Sequence, residues 1–92
     1  MSAADPTYVR SRDLLEAELG DELVALDAED GLCFGFNDVA TSIWRRLEQP
    51  TRLDALIDGL TIEYEVSRED CASDIRDVLN LLVEHKLLKR SW

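Results

Sequence analysis

The chain has one histidine, two cysteines, two prolines and four glycines in 92 residues, and ten basic side chains against twenty acidic ones. These scarcities exclude whole classes of chemistry. His85 stands alone, and Cys33 and Cys71 form no CxxC pair, so the ligand spacing of a zinc site is missing and no metal is expected. No cationic cluster lies near either cysteine in sequence to lower a thiol pKa, so both read as free, unreactive thiols, and His85 reads as a partner of a helix dipole. There is no glycine-rich phosphate loop, and no cofactor is expected. No apolar run approaches the length of a membrane span and no signal peptide opens the chain, so a reducing cytoplasm and no membrane contact are expected.

Basic residues are too few to neutralise a phosphate backbone. The net charge of −10 is concentrated early: residues 1–37 hold nine acids and two arginines, whereas residues 66–92 hold five of each sign. Such a field repels nucleic acid and anionic lipid, and leaves neutral or basic protein partners as the accessible class. The acidic pairs Asp21-Glu22, Glu29-Asp30 and Glu69-Asp70 fall at turns or at a helix start, where solvation and dipole effects account for them, so no catalytic residue is expected.

What is present is the pattern of one small globular domain, with 46% hydrophobic residues. Residues 1–13 are expected to be a flexible N-terminal segment, and residues 14–92 the folded domain. From Leu15 to Leu19 the pattern has period two, and Gly20-Asp21 supplies a hairpin turn of the II′ type. That turn sets Leu19 opposite Glu22, Ala17 opposite Val24 and Leu15 opposite Leu26. The stretch from Ala28 to Gly31 reads as a type I turn closed by a left-handed glycine, which would set Leu26 opposite Phe34 and Val24 opposite Phe36. The expected sheet is a three-stranded meander with Leu15, Ala17, Leu19, Val24, Leu26, Leu32, Phe34 and Phe36 on its apolar side.

Three helical patterns follow. Asn37 can cap a helix whose Ala40, Ile43, Trp44 and Leu47 recur at i, i+3, i+4 and i+7, with Trp44 expected in the core. Thr51 can cap a second, with Leu53, Leu56, Ile57 and Leu60. Ser67 opens a capping-box-like start to a third, along which Cys71, Ile75, Val78, Leu79 and Leu82 share a face as far as His85. Leu87-Leu88 can then return to the core, while Trp92 is expected to lie exposed at the end. The fold class is α+β: a three-stranded antiparallel sheet followed by three helices.

Leu32 to Phe36 is an uncharged segment in a chain that is one-third charged. Edge strands are ordinarily blunted by charge, proline or a bulge. Glu16 and Glu18 could serve the first strand that way, but the third has nothing equivalent. Either the molecule's own chain covers this edge, or a guest strand is meant to pair with it by β-augmentation.

The run from Glu22 to Leu88 resembles the PqqD-like family, whose module is also called the RiPP recognition element. The resemblance rests on Phe36-Asn37 followed by Ala40, Ile43 and Trp44, and on the Asp74-x-x-x-Val78-Leu79-x-x-Leu82 helix closing with Leu87-Leu88. Where the family commonly has leucine before the asparagine, this chain has Phe36. The resemblance implies a winged helix-turn-helix-like fold that binds the leader segment of a ribosomally made precursor peptide, as in pyrroloquinoline quinone and lasso peptide biosynthesis. Maturation enzymes, whether peptidase, cyclase or radical enzyme, would act on the presented precursor. Carried onto this sequence, the peptide-binding residues would be Leu32, Cys33, Phe34, Gly35 and Phe36 on the strand side. The helix side would comprise Cys71, Asp74, Ile75, Val78 and Leu82. The chain itself would be a monomer, or a weak homodimer through the open sheet edge.

Two other classes compete with this one. A winged-helix DNA-binding regulator would use the same scaffold, but Arg45, Arg46, Arg52 and Arg68 are scattered and the net charge opposes it. An acyl carrier would need a modifiable serine opening a helix, and Ser73-Asp74-Ile75 lies inside the third helical pattern with its order reversed.

Overall fold

The computed structural model describes residues 6–20 and 22–91. Its element order is β1 (Thr7–Arg10), β2 (Leu15–Leu19), β3 (Glu22–Asp27), β4 (Leu32–Phe36), α1 (Asp38–Arg46), β5 (Thr51–Arg52), α2 (Leu53–Tyr64), α3 (Arg68–Glu84) and β6 (Leu88–Ser91). The strands form two antiparallel sheets, ordered β2-β3-β4 and β5-β1-β6. The expected meander and three helices are present. The second sheet is an addition.

That second sheet takes in part of the segment expected to be a flexible start. Residues 7–10 pair with Leu88–Ser91 on one side and with Thr51 and Arg52 on the other. Ser11 N–H then donates to the Leu87 carbonyl at 2.9 Å, and Arg10 stacks 4.3 Å over the Trp44 ring while donating to the Trp44 carbonyl. Residues 1–5, the rest of the expected loose end, lie outside the described residues, as do Asp21 of the first hairpin turn and Trp92.

The first hairpin has the expected register, with Leu15 opposite Leu26 and Ala17 opposite Val24. Gly20 has φ +66°, the left-handed conformation that the turn requires. The second hairpin differs by one residue. Leu26 faces Cys33 and Leu23 faces Phe36, so Phe34 and Phe36 share a side with Leu23, Ala25 and Asp27 and not with Val24 and Leu26. The cause is Asp27. Its carboxylate is buried and accepts the backbone N–H groups of Glu29 (3.1 Å) and Asp30 (3.4 Å), while Arg12 pairs with it. Pairing therefore ends at Asp27–Leu32, and the loop is four residues long, closed by the Gly31 N–H to the Asp27 carbonyl at 2.8 Å.

That single step decides which side of the sheet meets the helices. Leu23, Ala25 and Phe36 are buried against Ile43, Trp44, Leu56, Leu79 and Leu82 in one core, whereas Leu15, Leu19 and Leu26 face outward. On β2 the inward positions belong to Glu16 and Glu18. Glu16 accepts the indole N–H of the fully buried Trp44 at 3.0 Å, and Glu18 pairs with Arg45.

The helices begin where the caps place them. Asn37 Oδ1 accepts the Ala40 N–H (2.9 Å) and Ser67 Oγ accepts the Asp70 N–H (3.2 Å), satisfying N–H groups that the first turn cannot. Thr51 does not cap α2: it lies in β5, Arg52 holds the N-cap position without a side-chain bond, and the Leu53 N–H donates to the Pro6 carbonyl instead. α3 ends in a Schellman turn about His85, with Leu87 N–H to Leu82 O and Lys86 N–H to Val83 O, both 2.9 Å, and Lys86 at φ +64°. This reversal drops Leu87 and Leu88 into the core and leads into β6.

Candidate peptide-binding groove

β4 is the last strand of its sheet, and among the described residues no other strand pairs with its outer edge. Beside it runs the second half of α3. Between the two lies a groove of ≈ 350 Å³. Its floor and strand side are formed by Cys33, Phe34, Gly35 and Phe36, and its helix side by Val78, Leu81, Leu82 and His85; Asn37 and Ala40 close one end. Phe34 is half-buried and meets the His85 ring edge-on, with centroids 5.4 Å apart. A Cβ placed on Gly35 would meet nothing within 4 Å, so the outward face of the sheet is open there.

The sequence-derived site is thus assembled in part. Cys33, Phe34, Gly35, Phe36, Val78 and Leu82 come together in the groove. Leu32 is 47% exposed at the end of β4, next to the groove rather than in its lining. Cys71 and Ile75 are buried in the core, Cys71 with its thiol 4.0 Å from the Ile57 carbonyl. Asp74 is exposed on α3 and does not line the groove.

Four lining residues were not anticipated as groove: Asn37, Ala40, Leu81 and His85. On α3 the signal was present but narrow. Positions 71, 75, 79 and 82 form the core stripe, while 74, 78, 81 and 85 form a second stripe of the same helical spacing turned by roughly one side chain. Leu81, 53% exposed, is an apolar residue that the core does not use.

Two larger concavities lie elsewhere. One, between α1 and α2, contains Arg45, Arg46 and Glu63, and its charges are satisfied internally: Arg46 pairs with Glu63 at 2.9 Å and Arg45 with Glu18. The Glu63 carboxyl is held below its usual pKa by hydrogen bonds from Arg46 and Ser42. The other, between α2 and α3, contains Arg68, which pairs with Asp58. Arg52 lies near Asp54 as well, so Arg45, Arg46, Arg52 and Arg68 each have a carboxylate beside them. Among the described residues there is no cluster of metal-ligating side chains, and no helix is long and apolar enough to cross a membrane.

The groove is apolar and is flanked by an unpaired strand edge. The family model for coenzyme PQQ synthesis protein D (PqqD) matches residues 22–88. The chain belongs to the PqqD family. The matched span starts at β3 and ends at the first residue of β6, so it contains every residue lining the groove. Among solved structures, one described as "TbiB1 in Complex with the TbiA(beta) Leader Peptide" is similar, with 33% identity and a TM-score of 0.77 over 88% of this chain and 94% of that one. No curated protein matches the chain. The α+β, winged-helix-like architecture expected from the sequence is therefore that of its family.

Proposed function

We propose that this PqqD-family chain binds the leader segment of a ribosomally synthesised precursor peptide and presents it to a maturation enzyme, without performing chemistry itself. The leader adds as a strand beside Leu32–Phe36 and lays alternate side chains into the groove against Val78, Leu81, Leu82 and His85. The observation that carries this is the unpaired, uncharged edge of β4 lying next to an apolar groove. The similarity to a leader-bound protein at 33% identity supports the choice of guest.

The energetics favour a bound strand of modest affinity. Each backbone hydrogen bond contributes about 1 kcal/mol net, and each buried aliphatic side chain about 1.5–3 kcal/mol. Against these stand the ordering costs of a flexible peptide, about 2–5 kcal/mol. About five such bonds and two such side chains, less the ordering cost, leave about 3–9 kcal/mol, which places the affinity at about the micromolar level or weaker. Asp74, on the groove stripe of α3 beyond its lined part, is positioned to meet a basic or amide group of a guest longer than the groove. The acidic charge of the chain favours a leader with basic residues outside its apolar anchors.

The direct test is a set of synthetic leader peptides carrying single N-methyl amides. Methylation removes one donor without altering the side chain. β-addition predicts that affinity falls at alternate positions, those whose N–H points to β4, and holds at the positions between. Uniform tolerance along the segment would show that the peptide is not held as a strand.

A further inference from the structure

His85 is the polar exception in the wall of an apolar groove. Among the lining side chains, Phe34, Phe36, Ala40, Val78, Leu81 and Leu82 carry no hydrogen-bonding group. Cys33 offers only a weak donor, and Asn37 has committed its side-chain oxygen to the Ala40 N–H at 2.9 Å. Neither ring nitrogen of His85 has a hydrogen-bond or ion-pair partner among the described residues. The ring is exposed, so solvent serves those atoms in the free chain. It is also held in place. It packs edge-on against Phe34, with centroids 5.4 Å apart and planes at 69°. Its backbone stands at the Schellman turn that ends α3, where the Leu87 N–H bonds to the Leu82 carbonyl and the buried Leu87 and Leu88 pin the chain that follows. A strand laid beside β4 covers this ring and strips its water. From then on an unmatched ring N–H costs binding, because a buried donor without a partner forfeits its whole hydration.

We propose that His85 is a specificity residue of the groove: it donates a hydrogen bond to an amide or hydroxyl side chain of the leader at the Phe34 end, two residues from the leader's apolar anchor. The inference rests on the leader-binding function proposed above. An imidazole donates at least one N–H in either protonation state, so the guest has to supply an acceptor. A guest carboxylate is disfavoured, since the chain carries a net charge of −10 and Asp74 lies exposed on the same stripe of α3. An amide or hydroxyl oxygen remains. The spacing follows from the strand. Side chains recur on one face at every second residue, so the guest's inward residues lie beside Phe34 and Phe36, the inward positions of β4. The first meets His85. The second meets the end closed by Ala40, where an apolar side chain is matched. A wall with one unspent donor rejects an aliphatic residue there more sharply than a purely apolar wall discriminates, because the donor would stay buried and unpaired.

The test uses the full chain and the synthetic leader of the precursor encoded beside its gene, in a double-mutant cycle read by fluorescence anisotropy. On the chain, His85→Phe keeps an aromatic ring against Phe34 and removes the donor, while His85→Gln keeps a donor. On the leader, each serine, threonine, asparagine or glutamine of the bound segment is replaced in turn by alanine, valine, leucine or methionine. The expected result is about a fivefold loss of affinity for His85→Phe with the natural leader and a smaller loss for His85→Gln. A coupling of about fivefold should appear at a single leader position, where the aliphatic replacement and His85→Phe no longer add. If His85 only steadies the end of α3, His85→Phe lowers urea stability and couples to no leader position; that outcome overturns the inference while leader binding stands. A bound segment with no amide or hydroxyl side chain overturns it as well. Should His85→Phe fail to fold, the leader replacements against the wild-type chain decide: a loss of about fivefold at one position supports the inference, and no loss beyond twofold at any position overturns it. Failure of the wild type to bind the leader removes the underlying function, and the inference with it.

Discussion

Truncating Leu81 separates groove from core. Its side chain is 53% exposed, beside the fully buried Leu79 and the buried Leu82 on the same helix. Complete burial of a leucine is worth about 1.5–3 kcal/mol, so a guest that covers the exposed half gains about 1 kcal/mol there. Leu81→Ala should therefore weaken leader binding about fivefold. Leu81→Asp adds the cost of facing an apolar guest with a carboxylate, about 1 kcal/mol at least, and should weaken it about thirtyfold or more. Neither change removes a core contact of consequence, so urea unfolding should shift by no more than about 0.5 kcal/mol. Ile75→Ala, on the core stripe of the same helix, should instead cost about 2–5 kcal/mol of stability. Fluorescence anisotropy with a labelled leader, alongside urea denaturation, reads both quantities. A folded Leu81→Asp that binds the leader with wild-type affinity would refute the groove assignment.

Three further outcomes follow from the same geometry. The Asp27 carboxyl is pushed up by burial but held below its ordinary pKa overall by Arg12 and by the Glu29 and Asp30 amides, so its stabilising contribution is full above a pH of about 4 and is lost as pH falls through the folded value. Urea midpoints measured from pH 7 to pH 3 should fall on the acidic side, and Asp27→Asn should flatten that part of the curve. Glu16→Ala orphans the buried Trp44 indole N–H, which should cost about 1–3 kcal/mol in urea unfolding monitored by tryptophan fluorescence. Cys33 is exposed and Cys71 buried, so a thiol reagent should modify one cysteine rapidly in the native chain and both in denaturant, with mass spectrometry placing the first label on residue 33.

The helices were legible because their signals are local. Asn37 and Ser67 cap where their sequence context places them, and the i, i+3, i+4, i+7 spacing of Ala40, Ile43, Trp44 and Leu47, or the i, i+4, i+7 spacing of Ile75, Leu79 and Leu82, survives any tertiary arrangement. The sheet was legible in its strands but not in its faces. In Glu22-Leu23-Val24-Ala25-Leu26 both sides of the strand are apolar, so alternation cannot choose between them. The choice is made by Asp27, whose buried carboxylate lengthens the second turn by one residue. A carboxylate at that position reads as ordinary turn polarity until Arg12, fifteen residues away, is seen beside it. β2 misled for the same reason. Glu16 and Glu18 look like a wet face, yet they point inward because Trp44, Arg10 and Arg45 come to meet them.

The short strands β1, β5 and β6 carry almost no local signal. Leu88–Ser91 alternates no hydrophobic residues, and Thr51–Arg52 is two residues long. They exist because β5 and β6 each complete a backbone ladder with β1. The groove was half legible for a related reason: on α3 the residues that bury and the residues that line differ by one side chain in angle. Separating Ile75 from Leu81 required knowing which way the helix leans on β4.

Hydrogen exchange of the Leu32–Phe36 amides, measured with and without the leader peptide, bears most directly on the central claim. A guest strand on the open edge should slow exchange at the amides of β4 that point away from β3, while those already bonded to β3 change little. A peptide that binds yet leaves every β4 amide exchanging at its free rate would place the guest elsewhere and contradict strand addition.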